Sequence, residues 1–263
     1  SVRPGKINRK PPPPFTTDTM LQSSSSSLGW SMAKTSKIAS ELYNKGHITY
    51  IRTDSTRTSV SARESAKSVI LEEFGVEFLG EGSLGPDAKK GSKNVQDAHE
   101  AIRPTDPQLE VPEEIEDDAT RLYSLIRSRF ISSQMSDSIR ERREISAEVD
   151  GTELLISGTA SWRIHAGWEA VSARFLPEPR INEPKFDASV GSVWDIDGSE
   201  ENPIMTTDET KPPRRYTESS IVKKMKAAGI GRPSTYVSTV QKLSDRKYVK
   251  NENGSLSPTN NGM

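Results

Sequence analysis

The strongest constraint on the fold is a change in hydrophobic period after Met135. The stretch EISAEVDGTELLISGTASWRIHAGWEAV alternates apolar and polar residues, with Asp150–Gly151 placed as a hairpin turn. The segments on either side space their apolar residues at helical intervals instead. Because the two periods occupy separate blocks, we expect a mainly helical α+β fold with one small antiparallel β-rich module.

Capping residues indicate where the predicted helices begin and end. Helices are predicted for 18–28, for 31–46, for a segment capped by Ser59 or Ser61 and closed by Gly75, and for 113–134. Two more follow Thr217 and are joined by Gly229–Pro233. A short strand is predicted at 48–51, a long polar loop at 80–97, and a continued β pattern at 191–200. The helix–strand–helix order around 31–75 resembles a winged-helix unit in outline.

The composition excludes several classes of site. The chain has no cysteine, which excludes disulfides and cysteine-based metal sites, and its three histidines are far apart in sequence. No apolar run approaches the roughly 20 residues that span a bilayer. We therefore expect no membrane partner and a cytoplasmic location. Since the hydrophobic fraction is only 32%, several small modules are expected rather than one thick core.

Charge is strongly segregated along the chain. Residues 1–60 hold nine Lys/Arg against three Asp/Glu, and residues 211–250 hold eleven against two, although the net charge is only −1. Basic segments beside an acidic remainder favour a polyanionic partner, but solvated basic faces explain the pattern equally well.

The stretch HITYIRTDSTRTS, His47 to Ser59, contains the first candidate constellation. On a strand, Tyr50 and Arg52 would project to the same side, and Asp54 would continue that face and orient Arg52. A cation beside the phenol stabilises the phenolate and also a phosphate under attack. Taken alone, the stretch favours an ordinary packed tyrosine, because tyrosines are common in strands.

Two further segments have groups suited to phosphate. In AHEAIRPTD, one helical turn would place His99 and Arg103 on a common face, with Glu100 able to support the histidine. In GIGRPSTYVSTVQKLSDRKYV, a helix begins beside Arg232, and a helix N-terminus attracts anions. Taken alone, an ordinary surface helix explains either segment at least as well.

Together and in this order, HITYIRTDSTRTS, DAHEAIRPTD and GIGRPSTYVSTVQKLSDRKYV resemble the signature segments of type IA DNA topoisomerases. PPPPFTTDTMLQ also resembles the entry into the same region of that family. The likeness covers about 10–135 and 205–250 and is weakest across 140–205.

The resemblance implies an ATP-independent isomerase that cleaves one DNA strand, passes a strand through the break and religates to relax supercoils. Tyr50 would be the nucleophile and would stay attached through a 5′-phosphotyrosine link. Arg52 would hold the scissile phosphate, His99 with Arg103 would position it, and Asp54 would support this network. Contacts with the single strand would come from Arg232, Ser234 and Thr235, with Arg246 and Lys34 as further contacts.

The resemblance also implies a division into modules. Residues 1–9 would be disordered or a remnant of an arch, and 10–135 a helical, winged-helix-like domain bearing the tyrosine. Residues 136–205 would be the β-rich hinge or arch, and 206–263 part of a helical base that binds single strands.

The family's N-terminal metal-binding domain has no counterpart in this sequence. No D-x-D-x-D or D-x-D-x-E run and no βαβ pattern precedes Lys10. We therefore expect no metal ligand in this chain, with Mg²⁺ held by that N-terminal domain in the full-length enzyme, which also supplies a general acid. The partners would be that domain and single-stranded or underwound DNA, and the isolated fragment would be inactive. Two alternatives remain at this point, which are the topoisomerase half of reverse gyrase and a non-enzymatic winged-helix-like DNA-binding module.

Overall fold

A computed structural model of the chain describes residues 1–80, 99–172, 189–193 and 207–263. These residues form two compact units. The smaller unit contains 1–8, 139–165, 189–193 and 207–214, and the larger unit contains the other described residues. The mixture of helices and antiparallel strands confirms the predicted combination of helix and sheet.

The smaller unit is built on a three-stranded sheet in the order β1-β2-β3. β1 is Val2–Arg9, β2 is Ser138–Glu148 and β3 is Leu155–His165. β2 and β3 are antiparallel, and the turn between them contains Gly151 at a φ of 75°, which glycine adopts without a steric penalty. The predicted hairpin is therefore confirmed. Residues 1–9 were predicted to be either disordered or a remnant of an arch. In the structure, residues 2–9 form strand β1, which lies beside β2.

The larger unit is helical. Its helices are α1 (Thr17–Leu28), α2 (Met32–Asn44), α3 (Val60–Glu73), α4 (Asp117–Ser132), α5 (Glu169–Ser172), α6 (Glu218–Ala227) and α7 (Tyr236–Asp245), with 3₁₀ turns at Val76–Phe78 and Asn260–Gly262. The serine cap of α3 is Ser59, whose hydroxyl accepts a hydrogen bond from the Ala62 N–H. Apart from α5 and the 3₁₀ turns, these helices lie where helices were predicted, although α4 begins at Asp117 rather than at 113 and its N-cap, Glu116, makes no side-chain capping hydrogen bond. Within the described part of the chain, no helix is long and apolar enough to cross a membrane.

A second hairpin follows α7 and was not predicted. β4 (Val249–Glu252) pairs with β5 (Ser255–Pro258), and the turn is Asn253–Gly254, both with positive φ. An Asn-Gly pair is the sequence signal for this tight turn, so the hairpin could have been recognised.

Apolar side chains of the larger unit form three clusters. The first joins α1, α2 and α4 through residues such as Leu42, Ile102 and Ile126. The second joins α3 to α4 around Ile70 and Phe130. The third packs α1 and α2 against the C-terminal helices α6 and α7, and its buried members are Leu21, Met32, Val222, Met225, Tyr236 and Val240.

The predicted strand at 48–51 is wrong. Only an isolated bridge between Ile48 and Pro104 is present. The ladder does not extend beyond this bridge, because the His47 N–H donates to Leu42 O at the end of α2. The Arg103 N–H is bound by the side-chain oxygen of Thr49 rather than by a backbone carbonyl.

The predicted helical turn that joined His99 to Arg103 is also wrong, since 99–105 contains no helix. Arg103 precedes Pro104, and a residue before proline is disfavoured in the helical region. The segment instead forms bridges from Ile102 to Phe15 and from Pro104 to Ile48. The loop expected at 80–97 lies outside the described residues apart from Gly80, as do residues 194–200 of the expected β pattern at 191–200.

Tyr123 on α4 anchors the chain that follows this segment. Its hydroxyl donates to Leu109 O at 2.9 Å and Asp106 O at 3.2 Å. Burial raises the pKa of Tyr123 to about 12, with the Arg127 charge opposing and the Asp106 charge adding to the shift. The folded protein therefore keeps a proton that an unfolded tyrosine loses near pH 10.

We predict that Tyr123→Phe flattens the fall in stability at high pH. Between pH about 10 and 12, the unfolded wild type releases a proton that the folded state retains, so its free energy of unfolding decreases by up to about 1.4 kcal/mol per pH unit. The variant lacks this term but is less stable below pH 10, because the two carbonyls lose their hydroxyl partner. Urea unfolding across this range measures both effects, and parallel pH profiles for the two proteins would contradict the assignment.

Candidate active site

Tyr50 lies between two aromatic rings. Its ring is 5.3 Å from that of Tyr43, edge-on at 67°, and 4.8 Å from the imidazole of His99, tilted at 46°. Tyr43 belongs to the last turn of α2, whereas His99 begins the segment that leads to Arg103. The contact with His99 joins the first two sequence motifs at the phenol.

Backbone hydrogen bonds bring these two motifs together. The Thr49 N–H donates to Arg103 O at 2.9 Å, and the Thr105 N–H donates to His47 O at 3.0 Å. The Thr49 hydroxyl donates to Ala101 O at 2.7 Å and accepts from the Arg103 N–H at 3.0 Å. The residue before Tyr50 is therefore bound to the 101–105 segment through both its backbone and its side chain.

The opposite side of the 101–105 segment is bound as well. The Ile102 N–H donates to Phe15 O and the Ala101 N–H donates to Arg57 O, both at 2.8 Å. Residues 101–105 consequently lie between the stretch that contains Tyr50 and the chain that enters α1. His99 is positioned two residues before this doubly bound segment.

Arg103 is held in a polar pocket and is 9% exposed. Its Nε and Nη2 atoms lie 2.7 and 2.6 Å from Glu100 Oε2. Nη1 donates to Pro104 O at 2.9 Å, and Nη2 donates to Ser59 Oγ at 3.3 Å. Glu100, which the sequence suggested as support for the histidine, therefore neutralises Arg103 and fixes its direction.

Arg52 and Asp54 are exposed, whereas Ile51, Thr53 and Ser55 between and beside them are buried. This alternation is what an extended chain produces, so Arg52 and Asp54 do share a side although no strand forms. The predicted strand is absent, but the prediction that Arg52 and Asp54 lie on the same side of the chain agrees with their exposure.

The third motif lies close to the first. Burial raises the pKa of Tyr236, the first residue of α7, and the charges of Asp18 and Asp54 raise it further, while the charge of Arg232 lowers it. Asp54 of the first motif and Arg232 of the third thus act on the same phenol. Gly231 allows this packing, because its φ is +80° and a Cβ there would lie 3.2 Å from the Tyr236 ring.

The start of α7 is exposed at Arg232, Ser234 and Thr235. The N–H groups of Thr235 and Tyr236 donate to Arg232 O at 2.8 and 3.1 Å, and the Arg232 N–H donates to Thr235 Oγ1 at 2.9 Å. These three N–H groups are used within the turn and are therefore not available to an anion.

The other two basic candidates differ in their surroundings. Lys34 lies 2.6 Å from Asp118 and 4.5 Å from the centre of the Trp30 ring. Its charge is therefore already compensated by a contact between α2 and α4. Arg246 caps the C-terminal end of α7 and is exposed.

Comparison with known proteins decides the family. A family model described as DNA topoisomerase matches residues 1–263. The chain belongs to the type IA DNA topoisomerase family. The DNA topoisomerase 1 proteins of Fervidobacterium islandicum and Thermotoga maritima are each 40% identical to it, over 97% and 95% of this chain.

A solved structure supports the same assignment. Full-length topoisomerase I from Thermotoga maritima superimposes with a TM-score of 0.74 and 35% sequence identity over 98% of this chain. The chain spans 42% of that structure's length, and 37% and 39% of the Fervidobacterium and Thermotoga relatives. It therefore matches less than half of a type IA topoisomerase.

The described residues of this topoisomerase chain contain no group of three His, Asp or Glu side chains that could hold a metal ion. The donor set for Mg²⁺ that the family resemblance implies is therefore not found among them.

Three residues that contact Tyr50, its neighbouring segment or Arg103 were not identified as site residues from the sequence. Tyr43 packs on the Tyr50 ring, Thr49 binds the 101–105 segment, and Ser59 contacts Arg103 as well as capping α3. The spacing in the sequence could suggest only the helix cap, because the other contacts depend on where residues 99–105 run.

We predict that Arg103→Lys lowers the free energy of unfolding by about 1–3 kcal/mol, because a lysine cannot satisfy Glu100, Pro104 O and Ser59 together. The measurement is urea unfolding of the purified chain, followed by circular dichroism.

The matched control is Arg52→Lys, which makes the same substitution at an exposed arginine two residues after Tyr50. This change should alter the free energy of unfolding by less than about 0.5 kcal/mol. Equal losses of stability in the two variants would contradict the role given to the Arg103 pocket.

Proposed function

We propose that this chain supplies the nucleophile-bearing part of a type IA DNA topoisomerase, with Tyr50 as the nucleophile. The observation that carries the proposal is the 4.8 Å contact between the Tyr50 ring and the His99 imidazole, which joins two distant motifs at one phenol. The contact places an imidazole beside the phenol, where it can position a phosphate under attack.

The proposed reaction is a transesterification. Tyr50 Oη attacks a backbone phosphorus of one DNA strand, and the bond from that phosphorus to the 3′ oxygen breaks. The 5′ phosphate remains on Tyr50, the phenol proton leaves, and the 3′ oxygen takes up one proton. Religation is the reverse step, so the phosphodiester bond energy is conserved and ATP is not consumed. Passage of a strand through the break would relax supercoils.

The basic groups around Tyr50 have different roles in this proposal. Arg52 is exposed and would bind the scissile phosphate, with Asp54 on the same side of the chain. His99 would position the phosphate beside the phenol. Arg103 is neutralised by Glu100, so it would act mainly by fixing the segment that contains His99.

Single-stranded or underwound DNA would reach Tyr50 along the start of α7. Arg232, Ser234 and Thr235 are exposed there, and Asp54 and Arg232 act on the same Tyr236 phenol. Arg246 would extend this basic surface, and Lys34 would contribute less because Asp118 compensates its charge. In this proposal, 10–135 is the tyrosine domain, 136–205 the arch, and 206–263 part of the base.

We further propose that another part of the complete enzyme, corresponding to the family's N-terminal domain, holds Mg²⁺ and supplies the general acid. When bound there, the metal would stabilise charge at the leaving oxygen. The residues of this chain bind and orient the phosphate and provide the attacking oxygen. The proposed site of action is the bacterial nucleoid.

We predict that Tyr50→Phe abolishes covalent attachment to DNA in the complete enzyme, because a phenylalanine has no oxygen to attack phosphorus. The measurement is the yield of protein–DNA adduct on a labelled single-stranded oligonucleotide with Mg²⁺, after denaturation.

Tyr43→Phe is the matched control, since Tyr43 is 41% exposed and its ring packs on Tyr50. We expect this variant to retain the adduct. Adducts that persist in Tyr50→Phe would refute Tyr50 as the nucleophile, whereas a complete wild-type enzyme that forms no adduct would favour a DNA-binding module in which Tyr50 is structural.

We also predict that Arg52→Ala and Arg232→Ala each reduce the salt dependence of single-strand binding by this chain. Each lost phosphate contact should lower the slope of log K against log salt concentration by about 0.7. Fluorescence anisotropy at several salt concentrations measures the slope.

Lys67→Ala is the control for these variants, because Lys67 is an exposed cation on α3 beside Glu64. Its slope should match that of the wild type. If all three variants share one slope, the phosphate contacts assigned to Arg52 and Arg232 are wrong.

A further inference from the structure

We propose that Thr17 is a positioning residue that fixes the backbone on both sides of Arg52. This inference rests on the proposed function, because it concerns how Arg52 is aimed at the scissile phosphate. Thr17 is the first residue of α1 and is 6% exposed.

Thr17 binds the chain that flanks Arg52 through two groups. Its hydroxyl donates to Ile51 O at 2.6 Å and also lies 3.0 Å from Thr53 O, and it accepts from the Thr53 N–H at 2.9 Å. The Thr17 N–H donates to Thr53 O at 2.9 Å. One residue therefore satisfies both backbone groups of Thr53 and the carbonyl of Ile51.

These bonds satisfy backbone groups of residues 51–53 that a neighbouring strand would satisfy in a sheet. The N–H of a residue in the first turn of a helix has no partner within the helix, so Thr17 can donate it without weakening α1. Thr53 is 0% exposed, and water therefore cannot substitute for Thr17. Arg52 lies between the two bound residues and is exposed on the opposite side.

α1 is a firm support for this contact. Leu21 is buried in the cluster shared with α6 and α7. Asp18, next to Thr17, accepts hydrogen bonds from Thr16 Oγ1 at 2.7 Å and Lys226 Nζ at 2.6 Å. A helix fixed at these points transmits its position to the backbone of Arg52 through Thr17.

The direction of a long exposed side chain depends on its backbone, because the position of the Arg52 Cα sets where the guanidinium can reach. A catalytic group displaced by about 1 Å can lose about 100-fold in rate. Loss of the Thr17 hydroxyl is therefore expected to slow strand cleavage by at least about 10-fold while single-strand affinity stays within about 2-fold.

The test compares Thr17→Val, which keeps the shape but loses the hydroxyl, with Thr17→Ser, which keeps the hydroxyl. Thr35→Val is the matched control, because Thr35 is 0% exposed on α2 and its hydroxyl donates to Ser31 O. The rate constant for adduct formation in the complete enzyme is measured at saturating oligonucleotide, together with the melting temperature. We expect a slow Thr17→Val and near wild-type rates for Thr17→Ser and Thr35→Val.

A double variant separates positioning from a general loss of structure. If Thr17 acts through Arg52, Thr17→Val should cause little further loss in an Arg52→Ala background. The proposal is overturned if the two losses multiply, if Thr17→Val is as fast as Thr35→Val, or if Thr17→Ser is as slow as Thr17→Val. Should Thr17→Val not fold, Thr17→Ala takes its place in each comparison.

The result also distinguishes this inference from the proposed function. An adduct that survives Tyr50→Phe refutes the nucleophile itself. An adduct that requires Tyr50 but forms at an unchanged rate in Thr17→Val refutes only the role of Thr17.

Discussion

The backbone hydrogen bonds of residues 101–105 hold the candidate site together. On one side they bind His47 and Thr49, and on the other they bind Phe15 and Arg57. Because Tyr50 follows Thr49 and His99 precedes Ala101, these bonds set the distance between the phenol and the imidazole. The contact between the first two motifs depends on this segment, which crosses between two parts of the chain that are far apart in sequence.

The charges around this segment divide into two kinds. Arg103 is nearly buried, so its guanidinium requires a carboxylate and hydrogen-bond acceptors, and Glu100, Pro104 and Ser59 provide them. Arg52 and Arg232 are exposed, where a phosphate can reach them. The arginines of the three motifs thus serve different purposes, because the buried Arg103 stabilises the scaffold, whereas the exposed Arg52 and Arg232 are available to a polyanion.

Apart from the short α5, the sequence was sufficient for the helices, and also for the β2–β3 hairpin and the family, because caps, periodicity and ordered motifs are local signals. The strand at Tyr50 was wrong because side-chain hydroxyls of Thr17 and Thr49 replace ladder partners, which no periodicity reveals. The wrong prediction of a helical turn from His99 to Arg103 could have been avoided, because Arg103 precedes Pro104 and a residue before proline is disfavoured in the helical region. The proximity of Tyr50 to His99 was implied only by the family resemblance, since long-range backbone pairing creates it.

The central claim is that the oxygen of Tyr50 becomes bonded to DNA. The most direct measurement is tandem mass spectrometry of the complete enzyme after trapping on a single-stranded oligonucleotide and digestion with nuclease and protease. We expect a nucleotide remnant on Tyr50 and none on Tyr43, whose ring lies 5.3 Å from that of Tyr50. A remnant on Tyr43 or on any other residue would contradict it.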